Sequence, residues 1–263
     1  MKQAMILAAG LGTRLKPMTD TMPKALVPVG GKPLIWHIVT KLRDAGFGRI
    51  VVNVHHFGSQ ICDYLQAHDN FGLDISISDE TSLLLETGGG IKRALPLFSC
   101  DAPVLIHNVD ILSNIDLSAL YSEAFLGRAD ALLLVSQRQT KRYLLFDDSL
   151  RLQGWTNIDT GEVRPASLCP SGAVPSPSVP VSDPSAAVPP VEFSTLIRRA
   201  FSGIHVLSPG VFPLFASMPE RFSIIDFYLR YCSDHAFLGY EQPGLRLLDV
   251  GKLDSLDQAE QFL

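Results

Sequence analysis

Two glycines and two cations lie close together near the start of the sequence: Gly10, Gly12, Arg14 and Lys24. They follow an apolar run, Ala4 to Ala9, that reads as a buried first strand. Glycines lack Cβ atoms, so the backbone can approach a ligand closely and turn its N–H groups onto it. Arg14 would then grip phosphate with a two-pronged contact, and Lys24 would act as a point charge. That chemistry describes a site for a nucleoside triphosphate. Two familiar glycine loops are excluded. The dinucleotide loop G-x-G-x-x-G needs a glycine where this chain has Leu15, and the Walker string G-x-x-x-x-G-K-[ST] is absent.

Acidic residues supply the complementary half. Asp110 closes a strongly apolar stretch that includes Val104 to Ile106, and Asp249 ends another, Leu245-Arg246-Leu247-Leu248. Two carboxylates with phosphate oxygens and water make a hard, oxygen-rich magnesium site. The string Glu86-Thr87-Gly88-Gly89-Gly90 is expected to open a helix. Its glycines would let the backbone press against a base or ribose, and a helix start favours an anion. Gly10 and the Ala8-Ala9 backbone are expected to touch the nucleoside from the other side.

The string Leu7-Ala8-Ala9-Gly10-Leu11-Gly12-Thr13-Arg14-Leu15, with Pro17, Thr19 and Pro23-Lys24 after it, resembles the signature of the sugar-1-phosphate nucleotidyltransferases. The resemblance continues through Pro28, Gly31 to Ile35, Glu86 to Gly90, Asn108-Val109-Asp110, Phe201-Ser202-Gly203-Ile204 and Asp249-Val250-Gly251. Leu85 to Ile91 most resembles the branch that includes N-acetylmuramate-1-phosphate uridylyltransferases. The resemblance implies that Arg14 holds the β and γ phosphates and that Lys24 reaches the α-phosphate. It also implies nucleotide contacts at Ala8, Ala9, Gly10, Gly12, Thr13, Glu86, Thr87 and Gly88, a metal on Asp110 and Asp249, and a sugar contact at Gly203. Val109 stands where the family has glycine. The family's Glu-Lys-Pro motif, whose lysine binds sugar phosphate, is missing from the matching region, Gly154 to Glu162. Either Asn157 contacts the sugar in its place, or the phosphate is held elsewhere, by an arginine. His55-His56 reads as ordinary loop and Asp226 as a helix cap or ion-pair partner.

These residues need a frame. Strand patterns at Arg49–Val54, Asp74–Ile77, Pro103–His107 and Ala131–Val135 alternate with helical ones. Leu34, Ile35, Ile38 and Leu42 repeat at helical spacing after Pro33 and before Gly46. Ile61, Tyr64 and Leu65 mark a second helix, Ile91, Leu95 and Phe98 a third. Such alternation implies an α/β, Rossmann-like fold: a mixed, mostly parallel sheet with helices on both faces. Ligands then bind beyond the carboxyl ends of the strands, where Gly10 and Asp110 fall. Further on, a strand from Phe201, a helix over Ile224–Tyr231, a strand over Leu245–Val250 and a helix from Ser255 are expected.

The whole chain, 1–263, reads as one domain with a Pro/Ser-rich surface insertion at about 164–192, which holds eight prolines and almost no charge. A net charge of −5 gives no footprint for nucleic acid, so any cationic site must be local. Cys62, Cys100, Cys169 and Cys232 are scattered without a C-x-x-C pair, which suits a reducing cytoplasm and argues against zinc. The apolar opening is too short for a secretion signal, and no stretch is long enough for a membrane helix. The expected reaction joins a sugar 1-phosphate to a nucleoside triphosphate. UTP with an amino-sugar phosphate such as N-acetylmuramate 1-phosphate leads, and guanylyl transfer to a mannose or heptose phosphate follows. A non-catalytic nucleotide-sugar binder of the same fold is the rival from another class. Oligomeric state is not legible.

Overall fold

The computed structural model describes residues 1–127, 129–165, 168 and 193–262. The insertion expected at about 164–192 lies outside the described residues, apart from Arg164, Pro165 and Leu168. In chain order the elements are β1 (Lys2–Leu7), β2 (Pro28–Val29), β3 (Lys32–Pro33), α1 (Leu34–Asp44), β4 (Phe47–Val54), α2 (Gly58–Ala67), β5 (Asp74–Asp79) and α3 (Glu86–Ala94). Next come β6 (Val104–Asn108), β7 (Ile111–Ser113), α4 (Leu117–Phe125), β8 (Ala131–Ser136), β9 (Arg142–Phe146), β10 (Leu152–Asn157) and β11 (Glu162–Arg164). The last are β12 (Ile197–Leu207), α5 (Ile224–Tyr231), β13 (Phe237–Tyr240), β14 (Leu247–Asp249) and α6 (Asp254–Phe262).

β1 shows why the sheet sits between two apolar layers. Ala4 and Ile6 enter one layer and Met5 the other, the period-two alternation of a strand buried on both faces. The first layer takes Leu34, Ile35, Ile38 and Leu42 of α1 with Leu117 and Leu120 of α4; the second takes Ile91 and Ala94 of α3 with Phe227 and Tyr228 of α5. Helices therefore cover both faces. α1 stops where Gly46 turns to φ +83°, a conformation that costs glycine little.

Among the described residues the main sheet has ten strands, in the order β11-β10-β9-β12-β6-β1-β4-β5, with β8 and β13 attached beside β12. β6, β1, β4 and β5 are mutually parallel, and β8 pairs β13 in parallel. β12 runs antiparallel to β6, β8 and β9, bringing the sequence's second half into the middle of the sheet. The β8–β12 ladder breaks between Phe201 and His205, opposite Val135 and Leu133, so β12 carries extra residues around Gly203. A separate two-stranded sheet pairs β7 with β14 and sets Asp249 opposite Ile111. Among the described residues no helix is long and apolar enough to cross a membrane.

Candidate functional site

The carboxyl ends of β1, β4, β5 and β6 open onto a cavity of about 390 Å³ whose lining includes Leu7 to Arg14, Lys24, Asn53, Glu80, Glu86, Thr87, Asn108, Asp110 and Gly251. Ala8, Ala9, Gly10, Gly12, Thr13, Arg14, Lys24, Glu86, Thr87 and Asp110, all singled out in the sequence, thus line one cavity. A Cβ on Gly10 would meet nothing within 4 Å, so that glycine leaves its space to the cavity. Gly12 is glycine for another reason: its φ is +64° and a Cβ would lie 2.9 Å from Thr19 Cγ2. The Gly12 carbonyl accepts both Leu15 N–H at 2.8 Å and the Thr19 hydroxyl at 2.9 Å, which fixes the turn that carries Arg14.

Lys24 is buried, and its ammonium forms an ion pair with Asp110. The facing carboxylate offsets part of the cost of taking an ammonium out of water. Val250 N–H donates to the Asp110 carbonyl at 2.8 Å, tying β14 to the end of β6 and carrying Asp249 to the same mouth. A Cβ on Gly251 would lie 2.7 Å from Asp249 Oδ1 and 3.1 Å from Arg14 Nη2, so residues 14, 249 and 251 converge. The Asp249 carboxyl is held above the usual carboxylate range, first by the protein packed around it and then by the charge of Asp110. Lys24 and Arg14 pull the other way without cancelling this.

Beneath the cavity runs a buried network that the sequence reading missed. Asn53 Oδ1 accepts Ala8 N–H at 2.6 Å, Asn53 Nδ2 donates to Glu80 Oε1 at 2.7 Å, and Glu80 Oε2 accepts Leu85 N–H at 3.1 Å. It joins the glycine loop to the segment before α3. Glu80 has no solvent exposure, and burial pushes its carboxyl up. The available signal was Asn53 itself, a polar residue inside the apolar run Ile50 to Val54.

The triple glycine serves packing. Gly88 N–H donates to the Phe222 carbonyl at 2.9 Å, and a Cβ there would lie 2.3 Å from the Phe222 ring. Cβ atoms on Gly89 and Gly90 would lie 2.3 Å from Glu220 O and 2.6 Å from Glu80 Oε1. Gly88 is not among the residues lining the cavity: its N–H is committed to Phe222, and the Phe222 ring covers the side where a Cβ would stand. Glu86 and Thr87 do reach the cavity, Glu86 with a φ of +63° and an ion pair to Arg221 at 2.9 Å.

A second cavity of about 250 Å³ adjoins the first, sharing Leu7, Thr87 and Asn108, and it is lined by Gly203, Asp249 and Arg138 among others. Gly203 has φ +73° and sits where a Cβ would be 2.6 Å from Asn108 Nδ2. Asn157 is not brought here: its Oδ1 accepts Asp159 N–H at 3.1 Å in the turn after β10, and it lines neither cavity. The arginine alternative gains a residue, Arg138, which the sequence reading had not singled out. Asp226 is an ion-pair partner, 2.9 Å from Arg164.

The sequence matches the nucleotidyl transferase family over residues 3–143, the stretch holding the glycine loop, Lys24 and Asp110. The chain belongs to that family. N-acetylmuramate alpha-1-phosphate uridylyltransferases of Neisseria meningitidis serogroup B and Caulobacter vibrioides are 48% and 50% identical to it over 123 and 111 residues. These matches cover 46% and 41% of this chain and 52% and 46% of the relatives. A mannose-1-phosphate guanyltransferase of Yarrowia lipolytica is 30% identical over 220 residues, covering 82% of this chain and 52% of the relative. The chain thus spans about half the length of the curated relatives it matches. Among solved structures, a putative glucose-1-phosphate thymidylyltransferase of Bacillus anthracis superposes with a TM-score of 0.75 at 17% identity, covering 99% of this chain and 94% of that one. A UDP-glucose pyrophosphorylase complexed with UDP-glucose gives 0.73 at 16%, covering 99% and 97%. At such identities these show the fold, the Rossmann-like nucleotidyltransferase architecture of the family.

Proposed function

We propose that this chain joins a sugar 1-phosphate to a nucleoside triphosphate, releasing pyrophosphate, with UTP and N-acetylmuramate 1-phosphate as its substrates. The observation that carries the reading is the pair of adjoining cavities, one with Arg14 and Lys24 on its wall, the other with Gly203. The triphosphate takes the first and the sugar 1-phosphate the second. A phosphate oxygen of the sugar attacks the α-phosphorus; the bond to the β-phosphate oxygen breaks, and pyrophosphate leaves with the electron pair. The protein's task is to hold geometry and neutralise charge. Arg14 stabilises the leaving pyrophosphate. Lys24, held in place by Asp110, meets the α-phosphate. Thr13 and the backbone of Ala8 to Gly12 bind the nucleotide, and Glu86 and Thr87 close its far side.

Asp110 and Asp249 fit a magnesium ion. Both offer oxygen alone, and among the described residues no hydrogen bond or ion pair to Asp249's carboxylate is found. When bound, the ion would neutralise phosphate charge beside them. Among the described residues no cluster of three or more metal-type side chains exists, so water and phosphate oxygens would complete its shell. A cytoplasmic setting suits the free thiols of Cys62, Cys100 and Cys232.

The uridylyl reading rests on the likeness to the two N-acetylmuramate alpha-1-phosphate uridylyltransferases. Guanylyl transfer to a mannose-type phosphate is favoured by a different fact, the longer match to a mannose-1-phosphate guanyltransferase. Pyrophosphate release measured over four triphosphates and a panel of sugar 1-phosphates tests both. UTP with N-acetylmuramate 1-phosphate should give the highest kcat/KM. A clear preference for GTP overturns the first reading in favour of the second, and no release with any pair overturns both.

A further inference from the structure

The second cavity has unusual walls. Arg138 is the one cation among the described residues that line it. One of its guanidinium nitrogens donates to the Phe201 carbonyl at 3.0 Å; the Asp249 carboxylate, on the same cavity, feels its charge but lies beyond ion-pair distance. The rest of its donor fork is open to an anion. Two further lining residues, Ser202 and His205, are each 1% exposed, and Ser202 Oγ and both ring nitrogens of His205 lack hydrogen-bond partners. Buried polar atoms are nearly always bonded, so unmet ones on a cavity wall call for an explanation.

The backbone accounts for their position. The irregular stretch of β12 between Phe201 and His205 lifts Ser202 and Gly203 out of the regular ladder with β8. The His205 ring is held by Phe201, stacked at 5.4 Å, and by Tyr228, edge-on at 5.8 Å. Burial keeps the imidazole neutral, pushed down to about 3, so it offers one donor and one acceptor. The cavity thus offers one cation, one carboxylate in Asp249 and neutral hydrogen-bonding groups, a set that can take a phosphate joined to a polyhydroxyl ring.

We propose that Arg138 binds the phosphate of the sugar 1-phosphate while Ser202 and His205 bind hydroxyl or amide groups of its sugar. This rests on the reading of the activity above and names the residues that replace the missing lysine. Arg138 then orients the attacking phosphate toward the first cavity, across the shared wall of Leu7, Thr87 and Asn108.

The test is calorimetric titration of the whole chain, wild type, Arg138→Gln and Ser202→Ala, with the best sugar 1-phosphate from the pyrophosphate-release screen, or with N-acetylmuramate 1-phosphate if the screen is empty. Steady-state KM values for sugar phosphate and for nucleotide accompany it. Arg138→Gln should weaken sugar-phosphate binding on the order of 10- to 100-fold, the loss of charge-assisted bonds to phosphate, and leave nucleotide KM unchanged. Ser202→Ala, which removes one oxygen, should weaken it severalfold. Wild-type affinity in both variants overturns the inference and leaves the activity standing. Binding that needs Arg138 in a chain that releases no pyrophosphate overturns the activity and leaves the binding site standing. No binding to the wild type overturns both.

Discussion

Lowering the pH from about 7.5 to about 5.5 should cost the folded chain about 2.7 kcal/mol through two side chains, His107 and His205. Both are buried, and burial is the main reason each is pushed from the ordinary 6.5 down to about 3. The charge of Lys41 adds to the effect at His107, and His107 adds to it at His205. Within this window the unfolded chain takes up a proton at each site and the folded chain does not. The stability they contribute is complete above the ordinary value and drains as the pH falls toward the folded one. Two units of pH around 6.5 give about 1.4 kcal/mol for each histidine, a figure insensitive to the folded value as long as it stays below about 5. Glu80 and Asp249, both held above the usual carboxylate range, act in the opposite sense. A variant comparison removes them from the result. His205→Phe keeps the ring stacked on Phe201 and strands no nitrogen. Urea unfolding at both pH values should show the variant losing about 1.4 kcal/mol less than the wild type across the window. Equal losses would refute the assignment of His205 as a proton-excluding group.

Arg14→Ala should lower turnover on the order of 10²-fold, since one preorganised charge contact to the departing pyrophosphate is lost; a folded variant with unchanged pyrophosphate release removes Arg14 from the mechanism. Asp110→Asn and Asp249→Asn should each lose most activity and require more magnesium for the remainder, with the double variant little worse than the poorer single one. A wild-type magnesium response in either single variant separates that carboxylate from the ion. Gly90→Ala should destabilise the fold by about 1–3 kcal/mol, because its methyl would press within 2.6 Å of Glu80 Oε1 and 2.9 Å of Asn53 Nδ2. A wild-type melting temperature would mean that the network yields without cost.

The parallel half of the sheet was legible because β1, β4 and β6 carry apolar runs, β5 alternates Ile with Ser, and each helix shows a 3.6-residue pattern, all local signals. Gly10, Arg14 and Lys24 were legible because a βα turn sets them close together in sequence. Glycine at 88 to 90 was read as a helix start, but the neighbours that demand small residues there were not legible: Glu220 to Phe222 crowd Gly88 and Gly89, and Glu80 and Asn53 crowd Gly90, all remote in sequence. Arg138 and the unmet groups of His205 left no trace, since their meaning depends on the pairing of β8 with β12. Long-range antiparallel pairing has no periodicity of its own to read. Asp249 fell between these cases, marked by its apolar strand and placed by β7, an element too short to be foreseen.

β12 also has a consequence for how the chain is made. It is the partner of β6, β8 and β9 at once, and all three precede it in synthesis. Until residues 197–207 leave the ribosome, β6 presents an unpaired apolar edge, Val104 to Ile106, of the kind that recruits stray strands. Gly203 lies inside this late-arriving strand with a left-handed φ and with Asn108 hard against it. Side chains introduced at Gly203 to reshape the second cavity will therefore act first on the nascent chain, and the yield of soluble protein will register them before any kinetic constant does.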